Sequence, residues 1–348
     1  DRLVQALEAA SFSTTDLLTL EPTELARRCA HSANEIRALV QAVTRALQAT
    51  LATAGGPDAR DAFPATAHIS TGDAALDAAL GGGVPTGALT EIAGESAAGK
   101  SHLLMQLTVA VQLPPAAGGL GRPAIYVSTE AGLETRRLGQ IVARFRRQHP
   151  GAAVSMSAVH CISCLDLESQ DHILRYQLPV LVDRLGAGLV VVDSIASHYR
   201  VEYGLGQTRA SGMHRRGSDI VAMAAHLRRL AVRAGLAVVV ANQVSDRFPA
   251  FLHSPTFSLD YQSRYFSGFD WLRPTPPPFG LPANDGKLPA LGLIWSNCVS
   301  VRVVLKRYDD PLGPRRTLQL VFSPYAPPAV VEFAIGVGGV AAVLPPEE

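Results

Sequence analysis

The chain has 348 residues, of which 47% are hydrophobic and 18% are charged. This length can hold one large α/β domain and a smaller module. The formal net charge of +1 does not indicate nucleic-acid binding, so any DNA contact must come from local basic patches. The longest apolar runs, residues 189–192 and 236–241, have strand length and cannot span a bilayer. We expect no secretion signal and no membrane contact, and we expect the four cysteines to be reduced.

Residues 1–53 are predicted to form a small helical N-terminal domain. Ser32 stands in a capping position, and Glu35 three residues later completes a capping-box pattern. A Gly-Gly-Pro run then indicates that residues 54–67 form a linker. The helices expected before the linker span residues 3–10, 14–20, 22–29 and 32–50.

Residues 68–348 are predicted to form one α/β core, because segments of strand and helix pattern alternate along them. Such alternation predicts a mostly parallel central sheet with helices on both faces. Ligands of these sheets bind at the carboxyl ends of the strands. The predicted strands are residues 89–93, 124–128, 158–162, 188–193 and 236–241, and the helices are residues 73–80, 100–113, 133–147, 168–186 and 212–234.

A phosphate-binding loop of the pattern GxxxxGK[ST] follows the first of these strands and precedes a helix. Its glycines let backbone amides surround a phosphate, Lys100 adds a positive charge, and the Ser101 hydroxyl can bind Mg²⁺. Because strand, loop and helix agree, the sequence predicts that this chain binds a nucleoside triphosphate. The loop consists of Gly94, Glu95, Ser96, Ala97, Ala98, Gly99, Lys100 and Ser101.

Three polar residues stand at the ends of other predicted strands. Asp193 ends an apolar strand, where a carboxylate can hold Mg²⁺ through its water shell. Glu130 follows another strand and can polarise a water for in-line attack on the γ-phosphate. Gln243 ends the last core strand and can sense the γ-phosphate. Each signal is weak alone, but their joint placement at strand ends supports a nucleotide site.

Two smaller patterns allow more than one interpretation. Cys161 and Cys164 are either half of a redox or metal site or two thiols beside a strand, and the second interpretation is favoured because no other pair accompanies them. Residues 299–308 and 317–322 alternate as the strands of a hairpin. Its cations form either a basic patch or a solvated hairpin tip, and they are Lys306, Arg307, Arg315 and Arg316.

Several stretches together resemble the RecA-type recombinase core, specifically the eukaryotic recombinase paralogues. The resemblance covers about residues 68–245 and 290–335, and the helical domain loosely. Residues 112–121 and 197–202 are most similar to fungal members of these paralogues. The stretches that carry the resemblance are residues 69–73, 76–77, 81–87, 90–96, 128–130, 136–138, 193–196, 199–200, 241–244 and 292–297.

This resemblance implies a RecA-like ATPase core that binds ATP and Mg²⁺. It implies that Lys100 and Ser101 bind phosphate and Mg²⁺ and that Asp193 is the second carboxylate of the metal site. Glu130 corresponds to the water-activating base of the family. Arg137, seven residues later, corresponds to the arginine that stacks on adenine, a geometry that suits a guanidinium. The alternative for Arg137 is a solvated arginine on a helix.

The two DNA-binding loops of the family have altered counterparts here. The first would span residues 202–216, where Arg209, Arg215 and Arg216 either contact phosphates or form a solvated turn. Residues 204–206 are Gly-Leu-Gly where strand-exchange proteins carry an arginine, which weakens the DNA interpretation. The second loop would be residues 245–290, a long insert rich in proline and aromatic residues but poor in cations. A protein interface or a cover over the domain is favoured there over base stacking.

Further positions depart from the family pattern or allow two interpretations. Phe322 stands before Ser-Pro where an active recombinase carries an acidic residue that caps the ATP of a neighbour. Residues 28–33 lack the glycines of a DNA-binding helix-hairpin-helix turn. Phe63, in the linker, is either an anchor for a neighbouring subunit or a stray aromatic.

We therefore expect a recombination mediator that binds ATP, pairs with a second recombinase paralogue and assists the recombinase filament on single-stranded DNA in the nucleus. Its contact with DNA would be direct or through partners, and its ATP turnover would be slow. The alternative is a filament-forming, DNA-dependent ATPase that exchanges strands itself. A RecA-core ATPase of non-recombination type is a weaker third possibility, because a helical domain precedes the core.

Overall fold

The computed structural model describes residues 3, 6, 7, 12, 17, 22–29, 31–53, 66–130, 132–199, 210–246, 287–310 and 313–343. The chain divides into two units, Asp1–Ala65 and Thr66–Glu348. None of the helices in these described parts is long and apolar enough to cross a membrane.

The first unit contains helices α1 (Pro22–Cys29) and α2 (Ala33–Thr53). Leu25 and Ile36 are fully buried and pack the two helices together. The predicted capping box is confirmed: the Glu35 amide donates to Ser32 Oγ at 3.2 Å, and the Ser32 amide donates to Glu35 Oε2 at 3.1 Å. Helix α2 continues to Thr53, three residues beyond its predicted end. The first two predicted helices lie mostly outside the described residues.

A ten-stranded sheet forms the centre of the second unit. Its strand order is β12-β11-β10-β9-β3-β7-β6-β4-β5, and β8 pairs with β7. The strands from β9 through β3 to β5 are parallel, whereas β9 to β12 form an antiparallel meander. A separate pair joins β1 to β2. The strands are β1 His68–Ile69, β2 Val84–Pro85, β3 Leu89–Gly94, β4 Ala124–Ser128, β5 Val159–Ser163, β6 Leu189–Asp193, β7 Ala237–Asp246, β8 Lys287–Pro289, β9 Val301–Asp310, β10 Gly313–Phe322, β11 Ala329–Gly336 and β12 Gly339–Ala342.

Helices cover both faces of this sheet. One buried cluster contains side chains of α4 and α5, and a second cluster on the opposite side of β4 contains side chains of α7 and α8. The α/β, RecA-like core predicted from the sequence is therefore confirmed. The helices are α3 Ala74–Leu80, α4 Lys100–Ala110, α5 Thr135–Gln148, α6 Leu167–His172, α7 Leu178–Leu185, α8 Ala210–Ala234 and α9 Gly292–Ser296.

A π-helical segment, Ile173–Gln177, joins α6 to α7 where one continuous helix was predicted. Pro179 explains the change, because it has no amide hydrogen to donate to the carbonyl of Arg175 four residues earlier. The Leu178 amide instead donates to the Ile173 carbonyl five residues earlier. The predicted helical stretch is present, with a local change of register at the proline.

The structure also refines the two predicted irregular regions. The hairpin of β9 and β10 is confirmed, but its turn is tighter than predicted because Gly313 pairs with Asp310. The predicted insert, residues 245–290, is shorter than expected because β7 and β8 pair at its ends, with Ser245 opposite Leu288. Its aromatic residues lie outside the described part of the chain. Strands β11 and β12 were not predicted.

Candidate nucleotide-binding site

The phosphate-binding loop lies between β3 and α4, and its glycines are required by close neighbours. A Cβ atom at Gly94 would lie 2.5 Å from the carbonyl oxygen of Leu305 on the adjacent strand. Gly99 has a φ of +111°, and a Cβ there would lie 2.9 Å from Ile335 Cδ1. Ala97 also has a positive φ, of 60°. This backbone gives the loop the concave form in which successive amides bind anions.

Lys100 is held inside this loop. Its Nζ donates to the carbonyl oxygens of Gly94 at 2.9 Å and Glu95 at 2.8 Å. Burial lowers the pKa of Lys100, and nearby carboxylates, Asp193 first among them, act in the opposite direction. Neutral carbonyl acceptors thus hold the ammonium at the loop. A phosphate oxygen can take their place, because it is charged and accepts a stronger hydrogen bond.

Asp193 joins the loop to the end of β6. Its Oδ2 accepts from Ser101 Oγ at 2.7 Å and from the Tyr126 hydroxyl at 2.5 Å. Burial, followed by the charge of Asp193, raises the pKa of Tyr126, so this hydroxyl remains a donor. Hydroxyl and carboxylate oxygens are the ligands that Mg²⁺ prefers, so this pair fits the predicted metal.

Glu130 and Gln243 meet above the same loop. Gln243 Nε2 and Ser194 Oγ both donate to Glu130 Oε1, the second at 3.0 Å. Thr129 fixes the backbone beneath them, because its Oγ1 donates to the Ser194 carbonyl and accepts from the Ser194 amide, both at 2.8 Å. Side chains at the carboxyl ends of β4 and β6 are therefore joined to Gln243, as their sequence positions predicted. Gln243 does not end its strand, however, because β7 continues for three more residues to Asp246.

These residues surround a cavity of about 470 Å³. Most of the predicted site residues line it, and two of the loop residues do not: Glu95, and Ala98, which is fully buried. The lining residues are Gly94, Ser96, Ala97, Gly99, Lys100, Ser101, His102, Glu130, Asp193, Ser194, Gln243 and Val244.

Arg137 does not line this cavity. Its guanidinium donates to the carbonyl oxygens of Val337 at 2.8 Å and Gly336 at 2.5 Å, in the turn between β11 and β12. The side chain is buried rather than solvated on its helix. It is close enough to the cavity to affect His102, whose pKa is lowered first by burial and then by the charge of Arg137. Adenine stacking by Arg137 stays a prediction.

Sequence reasoning missed two lining residues, His102 and Val244, and three residues that hold the site together, Tyr126, Ser194 and Thr129. The side chains of these last three reach the site because Ser128 of β4 lies opposite Asp193 of β6 in the sheet. That register places Tyr126, two residues earlier, on the same face of β4 as Ser128. Thr129 and Ser194 belong to the polar runs at the ends of β4 and β6, and that signal could have found them. Tyr126 lies inside β4 and has no such signal.

A buried charged pair lies beneath the loop. Glu91, on β3, and Arg302, on β9, are both fully buried, with Glu91 Oε2 and Arg302 Nε 2.5 Å apart. Glu91 Oε1 accepts from Asn242 Nδ2 at 2.6 Å and from Trp295 Nε1 at 3.0 Å. Phe322 lies over the Arg302 guanidinium, 5.4 Å from ring centroid to Cζ. The residue at the position of the expected acidic cap is therefore part of a packed network.

The arginines of the β9–β10 hairpin make hydrogen bonds within the chain. Arg315 binds Glu332 through two hydrogen bonds of 2.8 and 2.5 Å. Arg307 binds Asp309 at 3.0 Å, and Arg316 Nε lies 3.4 Å from the carbonyl oxygen of Ala97 in the phosphate-binding loop. This pairing favours the solvated hairpin over a free basic patch.

The first predicted DNA-binding loop is partly helical. Arg215 and Arg216 lie in helix α8, whereas Arg209 and Phe63 lie outside the described residues. Cys161 is exposed on the edge strand β5 and Cys164 is buried just after it, and both are free thiols. Their placement agrees with two thiols beside a strand.

Comparison with known proteins places the chain in a family. Residues 64–255 match the Rad51 family model. The chain is 39% identical to the DNA repair protein rhp57 of Schizosaccharomyces pombe, over 98% of this chain and 96% of that protein. The chain belongs to the Rad51 family. Members of this family generally bind ATP with Mg²⁺.

Other Rad51-family relatives are also DNA repair proteins. The chain is 36% identical to RAD57 of Saccharomyces cerevisiae, over 78% of this chain and 58% of that protein. It is 34% identical to XRCC3 of Bos taurus, over 78% of this chain and 74% of that protein. The resemblance to the eukaryotic recombinase paralogues, fungal members included, is confirmed.

Proposed function

We propose that this Rad51-family chain is an ATP-binding recombination mediator that acts in double-strand break repair. The observation that carries the proposal is the meeting of the phosphate-binding loop with Asp193 and Glu130 around one cavity, combined with Phe322 at the position where the resemblance places an acidic cap. Lys100, Ser101 and Asp193 meet around one cavity. Phe322 packs over Arg302 and carries no carboxylate for the nucleotide of a neighbour. ATP would then shape an assembly more than it would drive strand exchange.

The residues of the cavity have separate roles in this proposal. Ser101 and Asp193 would hold Mg²⁺, which neutralises charge on the phosphate oxygens when it is bound. Lys100 would exchange its loop carbonyl partners for phosphate oxygens. Glu130, held by Gln243 and Ser194, would accept a proton from an attacking water. Gln243 would carry the state of the γ-phosphate into the segment that follows β7.

The proposed partners follow from the relatives and from the contrast between the cavity of this chain and Phe322, which offers no carboxylate to the nucleotide of a neighbour. The relatives are named as DNA repair proteins, which supports a nuclear role in recombination repair. A second recombinase paralogue is the proposed heterodimer partner, because it can supply the acidic cap that Phe322 does not. The pair would stabilise the recombinase filament on single-stranded DNA, with the DNA contacted by either protein.

Replacing Lys100 with methionine tests the nucleotide role. We expect the affinity for Mg-ADP to fall about 10- to 100-fold, because a hydrogen bond to a charged phosphate oxygen is lost. Titration with a fluorescent ADP analogue measures the change. Arg233→Met removes an exposed cation in the last turn of helix α8, outside the cavity lining, and is the matched control. Equal affinity in the two variants would contradict a phosphate role for Lys100.

Two assays distinguish the mediator proposal from the alternative, a strand-exchange ATPase that acts by itself. Co-expression with each paralogue from the same organism should give a stable heterodimer with one of them, and Lys100→Met should weaken it. The chain alone should form no regular filament on single-stranded DNA under electron microscopy. Regular filaments together with DNA-stimulated ATP turnover would replace the mediator with the alternative.

A further inference from the structure

Tyr126 lies at the centre of β4, with its ring in the core and its hydroxyl at the nucleotide site. The side chain is 3% exposed and packs in the buried cluster that contains helix α4. Its hydroxyl lies 2.5 Å from Asp193 Oδ2. A phenylalanine would fill the same space in the core, so packing alone does not account for the hydroxyl.

The hydroxyl of Tyr126 and that of Ser101 converge on one oxygen of Asp193. Ser101 Oγ donates to the same Oδ2 at 2.7 Å. Within the described part of the chain, no side chain donates to Asp193 Oδ1. The two donors come from different elements, β4 and the first turn of α4, and together they fix the direction of the carboxylate. The fixed carboxylate leaves Oδ1 for a water in the coordination shell of a cation.

Strand pairing makes this arrangement rigid. Tyr126 lies opposite Val191 of β6, two residues before the Ser128–Asp193 pair. Its ring therefore runs along the sheet beneath Asp193 and cannot turn away without opening the core. Ser101 has no such restraint, because it lies on an exposed helical turn.

We propose that Tyr126 is a positioning residue for Mg²⁺: its hydroxyl holds Asp193 in the orientation that the metal requires while Ser101 turns toward the metal. The proposal rests on the proposed Mg-nucleotide function. Groups that orient the ligands of a metal site commonly contribute about 10- to 100-fold to metal affinity. Tyr126 is expected to contribute on this scale.

The test is Tyr126→Phe, with ADP binding measured against Mg²⁺ concentration and in EDTA. We expect the half-saturating Mg²⁺ concentration to rise about tenfold or more. Affinity for ADP in EDTA and the thermal midpoint should be unchanged, because the ring remains in the core. Tyr325→Phe is the control, since its ring lies edge-on to His68 at 5.5 Å and outside the cavity lining.

Each other outcome has a distinct meaning. If the unmodified chain binds ADP without any dependence on Mg²⁺, the proposed metal function is wrong. If that dependence exists and Tyr126→Phe leaves it unchanged, only the positioning role is wrong. The positioning role is also wrong if the variant weakens ADP binding equally with and without Mg²⁺, because that result indicates a packing role.

A double variant keeps the test available where the single variant does not fold. Asp193→Asn replaces the carboxylate with a neutral amide. In this background, loss of the Tyr126 hydroxyl leaves a neutral acceptor without its donor, which costs less stability than an unpaired carboxylate. In this background, Tyr126→Phe should have no further effect on the half-saturating Mg²⁺ concentration. A further tenfold rise would show that Tyr126 acts independently of Asp193 and would overturn the proposal.

Discussion

Arg302→Met is expected to lower the free energy of unfolding of the Thr66–Glu348 unit by about 3–5 kcal/mol. The substitution leaves the Glu91 carboxylate fully buried without its cation. Asn242 and Trp295 would still donate to Glu91, but neither carries a compensating charge. The pair also joins β3 to β9, its neighbour in the sheet, directly beneath the phosphate-binding loop.

The measurement is chemical denaturation followed by circular dichroism, with Arg315→Met as the matched control. Arg315 and Glu332 are also 2.5 Å apart, but their side chains are 32% and 16% exposed. Water can therefore solvate the remaining carboxylate, and we expect a loss of about 1 kcal/mol or less. Glu91→Gln combined with Arg302→Met should recover much of the stability, because no buried charge remains and the amide oxygen still accepts from Asn242 and Trp295. Equal losses for Arg302→Met and Arg315→Met would contradict the burial argument.

This network also includes Phe322, at the position where the resemblance places an acidic cap. A carboxylate at position 322 would meet Arg302 from the side now covered by the Phe322 ring, and it would compete with Glu91. The aromatic ring instead covers the Arg302 guanidinium without competing for it, so that Arg302 remains paired with Glu91. Phe322 and the buried pair thus belong to one packed arrangement.

The core of the fold was predictable because its signals are local. The apolar segments of β4, β6 and β7 and the pattern of the phosphate-binding loop need only neighbouring residues to be recognised. The meander beyond β10 was missed for the opposite reason. Strands β11 and β12 are joined around a glycine-rich turn, and the half-buried alternation of β11 is weak. These strands are fixed by pairing with β10 rather than by their own composition.

The site was predictable at strand ends and not between them. Glu130, Asp193 and Gln243 each come after a run of apolar residues, which made them visible in the sequence. Glu91 and Arg302 are 211 positions apart, and their pairing depends on the order of strands in the sheet. Tyr126 looks like an ordinary aromatic residue of a strand until the register places its hydroxyl beside Asp193.

Glu130→Gln is expected to lower ATP turnover about 100-fold or more while leaving nucleotide affinity unchanged. An amide oxygen at this position can still accept from Gln243 and Ser194, so the geometry of the site should persist. The amide cannot take a proton from water, and general-base catalysis contributes about 10²- to 10⁴-fold. Single-turnover hydrolysis with protein in excess over ATP measures a slow reaction directly.

The same substitution at Glu134 provides the control, because Glu134 precedes helix α5 and does not line the cavity. If Glu130→Gln and Glu134→Gln hydrolyse ATP at the same rate, Glu130 is not the base.

The Glu130→Gln variant also separates the binding of ATP from its cleavage. Glu130→Gln should preserve heterodimer assembly, because it still binds ATP, whereas Lys100→Met should weaken it. This difference between the two variants is expected of a mediator that needs bound nucleotide but not its cleavage. A strand-exchange ATPase would need both Lys100 and Glu130 for its activity.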